Sequence, residues 1–430
     1  MQWAPRREPA LVSPGWQGRW GGPKGMPIGL WRIGPSLNRV GTLDVRMIGG
    51  AHVGARPARP RSYHIRGVHC VPARTTSPDP RVVLEPMHTS LRALAVLLIA
   101  VSAAPADAAA RAAKRPLGDA FAPADRGQSA KQSVKELRFG GSRLVLTFAP
   151  GDFRFTEQEL FDWVLRSARA TATYFGRFPV ADVHITLRPT AGEEVMVATA
   201  SAEPHPRIRM AVGRNTLRDT LKADSTMVHE MTHLGFPDLD DAHLWLHEGI
   251  ATYVETVARA QAGEISAAAA WTHFVEQMPQ GLPEQGDGGL DFSRSEDRLY
   301  WGGAMFCLVA DVEIRQRTAN RFGLRDALRA ILNAGGTLEK DWELERTLAT
   351  GDRAVGVPVL RELYAAWKDK SVAPDLDALW EKLGVHRDGD GVTLVDAAPL
   401  APIRRAIMQP PARPLLLAGP LLVREATRRP

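Results

Sequence analysis

Between Val228 and Glu255 the chain reads VHEMTHLGFPDLDDAHLWLHEGIATYVE. His229 and His233 are four residues apart, so on a helix their imidazoles share one face and can hold a divalent metal between them. Glu230 sits about 100° around the helix from His229, within reach of a water on that metal. Gly235 is expected at a left-handed position just past the helix end, and Pro237 forbids its continuation. The chemistry implied is activation of a water molecule. The competing reading is a pair of histidines on a solvated helix face.

A catalytic zinc takes three protein ligands and keeps a fourth position open. Position 239 is Leu and position 236 is Phe, so a histidine six residues beyond His233, as in metzincins, is excluded. His243, His247 and Glu248 remain as third ligands. Glu248 lies in WLHEGIATYVE, expected as a helix capped by Asp240 or Asp241. Gly249 is a poor helix former, costing about 1 kcal/mol against Ala. Its place beside Glu248 suggests close backbone packing of this helix near the first.

The run Trp-Leu-x-Glu-Gly-x-Ala after His-Glu-x-x-His resembles the gluzincin metallopeptidases, within them the aminopeptidase-like group. The resemblance implies that Glu248 is the third zinc ligand, with one zinc per chain and Glu230 as general base. The 14 residues between His233 and Glu248 imply a tight connection of the two helices. Downstream, LYWGGAMFCLVADVEIRQRTANRFGLRDALRAIL (299–332) is similar to the glycyl aminopeptidase type, where a Tyr-x-Lys-Gly element opens a helix. Tyr300 thereby inherits the role of stabilising a tetrahedral oxyanion, and Gly302 stands in place of the lysine. His243 and His247 are then expected to be structural or to support the ligands from behind. Thr252, one turn after Glu248, is a candidate partner for a ligand histidine. Glu203, in ATASAEPHPRIRMAV, falls near the place of the family's substrate-amine ligand, although the surrounding motif is degraded. The following RIRMAVG is a candidate edge strand for aligning an extended peptide.

These residues need elements to position them. SRLVLTFAP (142–150), DVHITLRP (182–189), EEVMVATA (193–200) and RIRMAVG (207–213) read as strands. EQELFDWVLRSARATATYF (157–175) reads as a helix with Thr156 at its N-cap. Further helices are expected over 217–234, 242–260, 303–318, 324–333, 357–369 and 376–383. A small mixed sheet followed by a mainly helical half is an α+β order. With the resemblance, it implies a thermolysin-like zincin catalytic domain over 136–385. Residues 386–430 are left as an unassigned tail.

The chain has 430 residues and a net charge of +6. Residues 1–86 hold 13 Lys and Arg against 4 Asp and Glu, leaving 41 against 44 in the rest. The basic excess therefore belongs to the first segment, and nucleic acid is not an expected partner. That segment is rich in Arg, Gly, Pro and Trp without sustained periodicity. Met87 then opens MHTSLRALAVLLIAVSAAPADAAARAAK, with Arg92, an apolar run from Ala93 to Ala104, and Ala106-Asp107-Ala108 as a cleavage site. This is the layout of a secretory signal peptide over 87–108. Translation is expected to begin at Met87, with 1–86 an over-extension of the gene; the alternative is a disordered extension before an internal membrane anchor. Residues 109–135 read as a linker. The apolar run is shorter than the roughly 18–20 residues a span requires, so no membrane anchor is expected after cleavage. Of two cysteines, Cys70 lies in the first segment, and Cys307 is expected as a buried hydrophobe.

The reading is an exported, periplasmic or secreted zinc metallopeptidase acting on peptides or proteins, as aminopeptidase or endopeptidase. The alternative is a catalytically silent zinc-binding or peptide-binding protein of the same fold. The sequence does not set the oligomeric state.

Overall fold

The computed structural model describes residues 65–66, 132–293, 295–410 and 423–425. The expected signal peptide lies outside the described residues, as does nearly all of 1–86 and most of 109–135. No helix among the described residues is long and apolar enough to cross a membrane.

The architecture is α+β: a mixed sheet, most of whose strands precede most of the helices in sequence. β2 (Ser133–Phe139) and β3 (Ser142–Phe148) form a hairpin. Its loop is Gly140-Gly141, with φ of 54° and 89°, as a two-residue turn with both central φ positive requires. β2 therefore begins inside the stretch expected to be linker. Its polar composition hides a strand that exists through pairing with β3 and through burial of Leu137 and Phe139. β3 runs parallel to β4 (Asp182–Thr190), with α1 (Glu157–Phe175) as the connection. β5 (Val195–Ser201) is antiparallel to β6 (Arg207–Gly213), and β6 is parallel to β4. The order is β1-β5-β6-β4-β3-β2-β9, where β1 is Ile65–Arg66 and β9 is Val423–Glu425. The expected edge strand, RIRMAVG, is therefore interior. β5 lies outside it and carries β1 on its far side.

α1 starts as expected. Thr156 accepts from the Glu159 amide while the Glu159 carboxylate accepts from the Thr156 amide, a reciprocal cap. The expected helix 217–234 is broken into α2 (Arg218–Ala223) and α3 (Thr226–His233). The cause is Asp224, whose backbone is extended and whose carboxylate accepts from the Thr226 amide at 3.0 Å and hydroxyl at 2.9 Å. Past α3, Leu234 stays right-handed and Gly235 has no positive φ, contrary to the expected left-handed turn. Glycine is needed there for space, because a Cβ would lie 2.9 Å from the Phe175 ring.

Asp240 caps a short 3₁₀ turn, Asp241–His243, and α4 (Leu244–Gln261) follows it directly. Sequence reading missed α5 (Ala267–Gln277) and found α6 (Gly303–Arg317) and α7 (Leu324–Asn333). α8 (Leu344–Val355) was also missed, while α9 (Val359–Trp367) and α10 (Leu376–Leu383) were expected. The tail is not inert. It forms the hairpin β7 (Val385–Asp388) and β8 (Gly391–Leu394), then α11 (Ala401–Met408). Ile403, Ile407 and Met408 of α11 join the helical core, and Gln261 of α4 donates to the Ile407 carbonyl at 2.7 Å.

Two apolar cores result. One joins the sheet to α1 through Leu144, Ile185, Ile208, Leu160 and Trp163. The other gathers α4 to α11. α3 lies between them: Met227 and Met231 face the sheet core and Val228 the helical core. Every residue from Met227 to His233 is buried, including both histidines and Glu230. The solvated-face reading of the two histidines is therefore excluded. Cys307 is buried, as expected.

One buried polar knot ties the helical half. Asp311 of α6 accepts from Arg315 Nε at 2.7 Å, from the Leu324 amide at 3.0 Å and from the Tyr253 hydroxyl at 2.9 Å. Replacing Asp311 by Ala leaves Arg315 as an uncompensated buried charge. The expected cost is about 3–5 kcal/mol, measured by urea unfolding of wild type and variant.

Candidate metal centre

α3 and α4 pack against each other and bring the expected residues together. His229, His233 and Glu248 each offer a donor atom, all within 4.8 Å of one another, and all three are buried. Glu248 Oε2 lies 3.2 Å from His229 Nε2 and 3.6 Å from His233 Nε2. Ligands at about 2.1 Å around a tetrahedral zinc are about 3.4 Å apart, so this donor set fits that ion in type and spacing. His243 and His247 are not part of the cluster. His243 Nδ1 lies 3.1 Å from Asp291 Oδ1, which also accepts from Trp245 Nε1, while the Tyr364 hydroxyl donates to Oδ2. Asp291 thus pins the start of α4. The His247 ring packs 5.2 Å from Phe236 and 6.1 Å from His233.

The electrostatics follow from burial and proximity. For His229, burial disfavours the charge, but hydrogen bonds to Glu248 and Glu255 outweigh it and raise the pKa. For Glu248, burial pushes upward, yet the two histidines hold the carboxylate below its usual range. For Glu230 the counterweight is smaller than the effect of burial. Its burial, together with the nearby Glu248 charge, lifts its pKa to about 8 against the pull of His229. The Ala200 amide of β5 lies close enough to draw it back somewhat. Even so, neither Glu230 oxygen meets hydrogen-bond geometry with a described group. A buried carboxylate without such a partner is costly and marks a position where a polar molecule belongs.

Sequence reasoning missed Glu255. Its Oε2 lies 2.8 Å from His229 Nδ1, and its Oε1 accepts from the Ser225 hydroxyl at 2.9 Å. The signal was present: Glu255 is seven residues after Glu248, two helical turns along the same face. Thr252, the expected partner of a histidine, instead donates to the Glu248 carbonyl at 2.7 Å within its own helix. This back-bond competes with any longer reach. Glu255 fixes the His229 ring with Nε2 directed at Glu248. Replacing Glu255 by Ala should weaken zinc binding by about 10–100-fold, measured by competition with a chromogenic chelator.

Tyr300 stands beside the cluster. It lies in a π-helical turn, Arg298–Gly302, that leads into α6. Such turns widen the backbone locally and reorient side chains. Its ring is 5.9 Å from that of His229, and its hydroxyl is within hydrogen-bonding reach of Glu248. Burial, then the Glu248 and Glu230 charges, keep the phenol well above its ordinary pKa. The close packing expected of Gly249 is real, but its partner is α6 rather than α3. A Cβ on Gly249 would fall 2.3 Å from the Gly303 backbone. This contact brings the turn carrying Tyr300 against the helix carrying Glu248. Glu203 is not among the three convergent donors. It lies exposed at the bend between β5 and β6, outside the metal-competent group.

No family model and no curated protein matches the sequence. Among solved structures, the chain is similar to an aminopeptidase N family protein from Idiomarina loihiensis. Identity is 14% and the TM-score 0.46, over 59% of this chain and 49% of that one. It is also similar to the M1 zinc metallopeptidase from Deinococcus radiodurans, at 18% identity and TM-score 0.39, over 57% and 53%. The chain spans about half the length of these proteins. At such overlap the likeness adds no weight to the functional reading, which rests on the side chains.

Proposed function

We propose that this chain is an exported mononuclear zinc peptidase of the gluzincin kind, with a thermolysin-like arrangement of its two site helices. The observation that carries the reading is the convergence of His229, His233 and Glu248 beside the buried Glu230 carboxylate, which lacks a hydrogen-bond partner among the described residues. His229, His233 and Glu248 would hold one zinc ion. When bound, that ion supplies a water of lowered pKa and polarises the scissile carbonyl. Glu230 accepts the proton of the attacking water and passes it to the leaving amine. Glu230 is fully buried next to His229 in sequence, so it stands beside the donors that would hold the ion and its water. The Tyr300 hydroxyl donates to the oxyanion as it develops. Glu255 keeps the His229 imidazole in one tautomer and orientation.

Peptides or proteins are the substrate class, and the signal-like segment 87–108 supports export. Glu203 lies at an exposed bend in a degraded motif, and the reading does not choose between aminopeptidase and endopeptidase. The zinc-loaded chain should be given paired peptides with free and acetylated N-termini, with products mapped by mass spectrometry. Cutting of the free peptides alone means an aminopeptidase, and internal cutting of both means an endopeptidase. Neither cut, with zinc bound, favours the silent binding protein. Tyr300→Phe should lower kcat on the preferred peptide by about 10²-fold, with KM changed far less, as for loss of one oxyanion donor.

A further inference from the structure

Tyr300 can act on an oxyanion only if its turn is held in register with Glu248, and the structure shows how. On one side, a Cβ on Gly303 would lie 2.2 Å from the Trp245 carbonyl and 2.7 Å from the Gly249 Cα. The turn is therefore in backbone contact with α4 one residue from Glu248. On the other side, a Cβ on Gly281 would lie 2.2 Å from Trp301 C and Gly302 N. Gly281 ends the 3₁₀ turn Met278–Gly281. Arg298, which opens the π-helical turn and is buried, donates from Nη1 to the Gly281 carbonyl at 2.5 Å. Gly302 leaves room for this: its missing Cβ would be 3.4 Å from Arg298 Nη1 and 3.3 Å from the Gly281 carbonyl oxygen. None of Gly249, Gly281, Gly302 and Gly303 has a positive φ, so glycine serves here for close approach.

We infer that Arg298 and Gly281 are positioning residues for Tyr300. They brace the outer side of its turn against the 3₁₀ segment while Gly249 and Gly303 brace the inner side against α4. A guanidinium holding a backbone carbonyl in a buried site is a rigid strut that lysine does not reproduce. Alanine at Gly281 forces backbone atoms apart, since no flexible side chain is there to yield. A displacement near 1 Å at a catalytic group lowers turnover steeply, by up to about 10²-fold. The role in turnover rests on the peptidase reading; the placement of Tyr300 does not.

The test uses Arg298→Lys and Gly281→Ala in the full chain, each made alone and with Tyr300→Phe. The chain has five tyrosines, so ring-¹³C labelling gives a small set of resonances, and Tyr300→Phe assigns the relevant one. The Tyr300 resonance should move in both variants while those of Tyr174, Tyr253 and Tyr364 stay, and zinc content should remain unchanged. On a cleaved peptide, kcat should fall about 10-fold with KM within about twofold, and neither change should lower the rate of Tyr300→Phe further. A Tyr300 resonance that stays in place in the variants that fold overturns the inference, as does a loss that multiplies fully with that of Tyr300→Phe. If wild type cleaves nothing, the functional reading falls, and the resonance still decides whether Arg298 and Gly281 place Tyr300.

Discussion

Glu230→Gln is expected to lower kcat by about 10²–10⁴-fold and to leave zinc bound. The substitution keeps the size of the side chain and removes only its ability to take a proton. Glu230 is fully buried and is not one of the three convergent donors, so metal affinity should barely change. Stability should hold or rise, because an amide is less costly to bury than a carboxylate without a hydrogen-bond partner. The check is a pair of measurements on one preparation: zinc by atomic emission, and initial rates on the best peptide. A glutamine variant with wild-type turnover would remove Glu230 from the mechanism.

Glu248→Ala should produce the second large effect, in metal binding and not in chemistry alone. Glu248 Oε2 is the atom on which both imidazoles converge, so its loss leaves two donors where three stood. Zinc affinity should fall well beyond the roughly 10–100-fold expected for an outer partner such as Glu255. α4 itself should survive, because Trp245, Ile250, Tyr253, Val254 and Val257 anchor it in the helical core. Equilibrium dialysis with zinc and a far-ultraviolet spectrum separate the two effects. Retained affinity would place the third ligand elsewhere, with His247 the nearest candidate in sequence.

The structure brings His229, His233 and Glu248 together; the pairing of the two histidines was legible because four residues put two rings on one face of a helix, whereas Glu248 entered through the resemblance. Glu255 was legible by the same rule and was missed because Thr252 offered a nearer partner, whose hydroxyl in fact turns back to its own helix. Asp224 broke an expected helix through a side-chain hydrogen bond that competes with the backbone, which periodicity does not register. The identity of the edge strand could not be read locally. RIRMAVG and EEVMVATA have similar patterns, and only pairing with β4 makes the first interior. The packing partner of Gly249 was equally hidden, because a glycine in a helix announces close approach without saying to what. Glu203 was carried over by its place in a degraded motif, and it lies at the exposed bend between β5 and β6. The tail after 385 looked irregular in sequence, yet Ile403, Ile407 and Met408 are spaced to cover the helical core.

The central claim is a single hydrolytic zinc centre, and it is tested most directly by titrating metal-free protein with zinc while following peptide hydrolysis. The account predicts no hydrolysis without metal, a linear rise to one equivalent per chain, and a plateau beyond it. Hydrolysis that ignores zinc, or zinc-saturated protein that cleaves no peptide in a complex mixture, would contradict it.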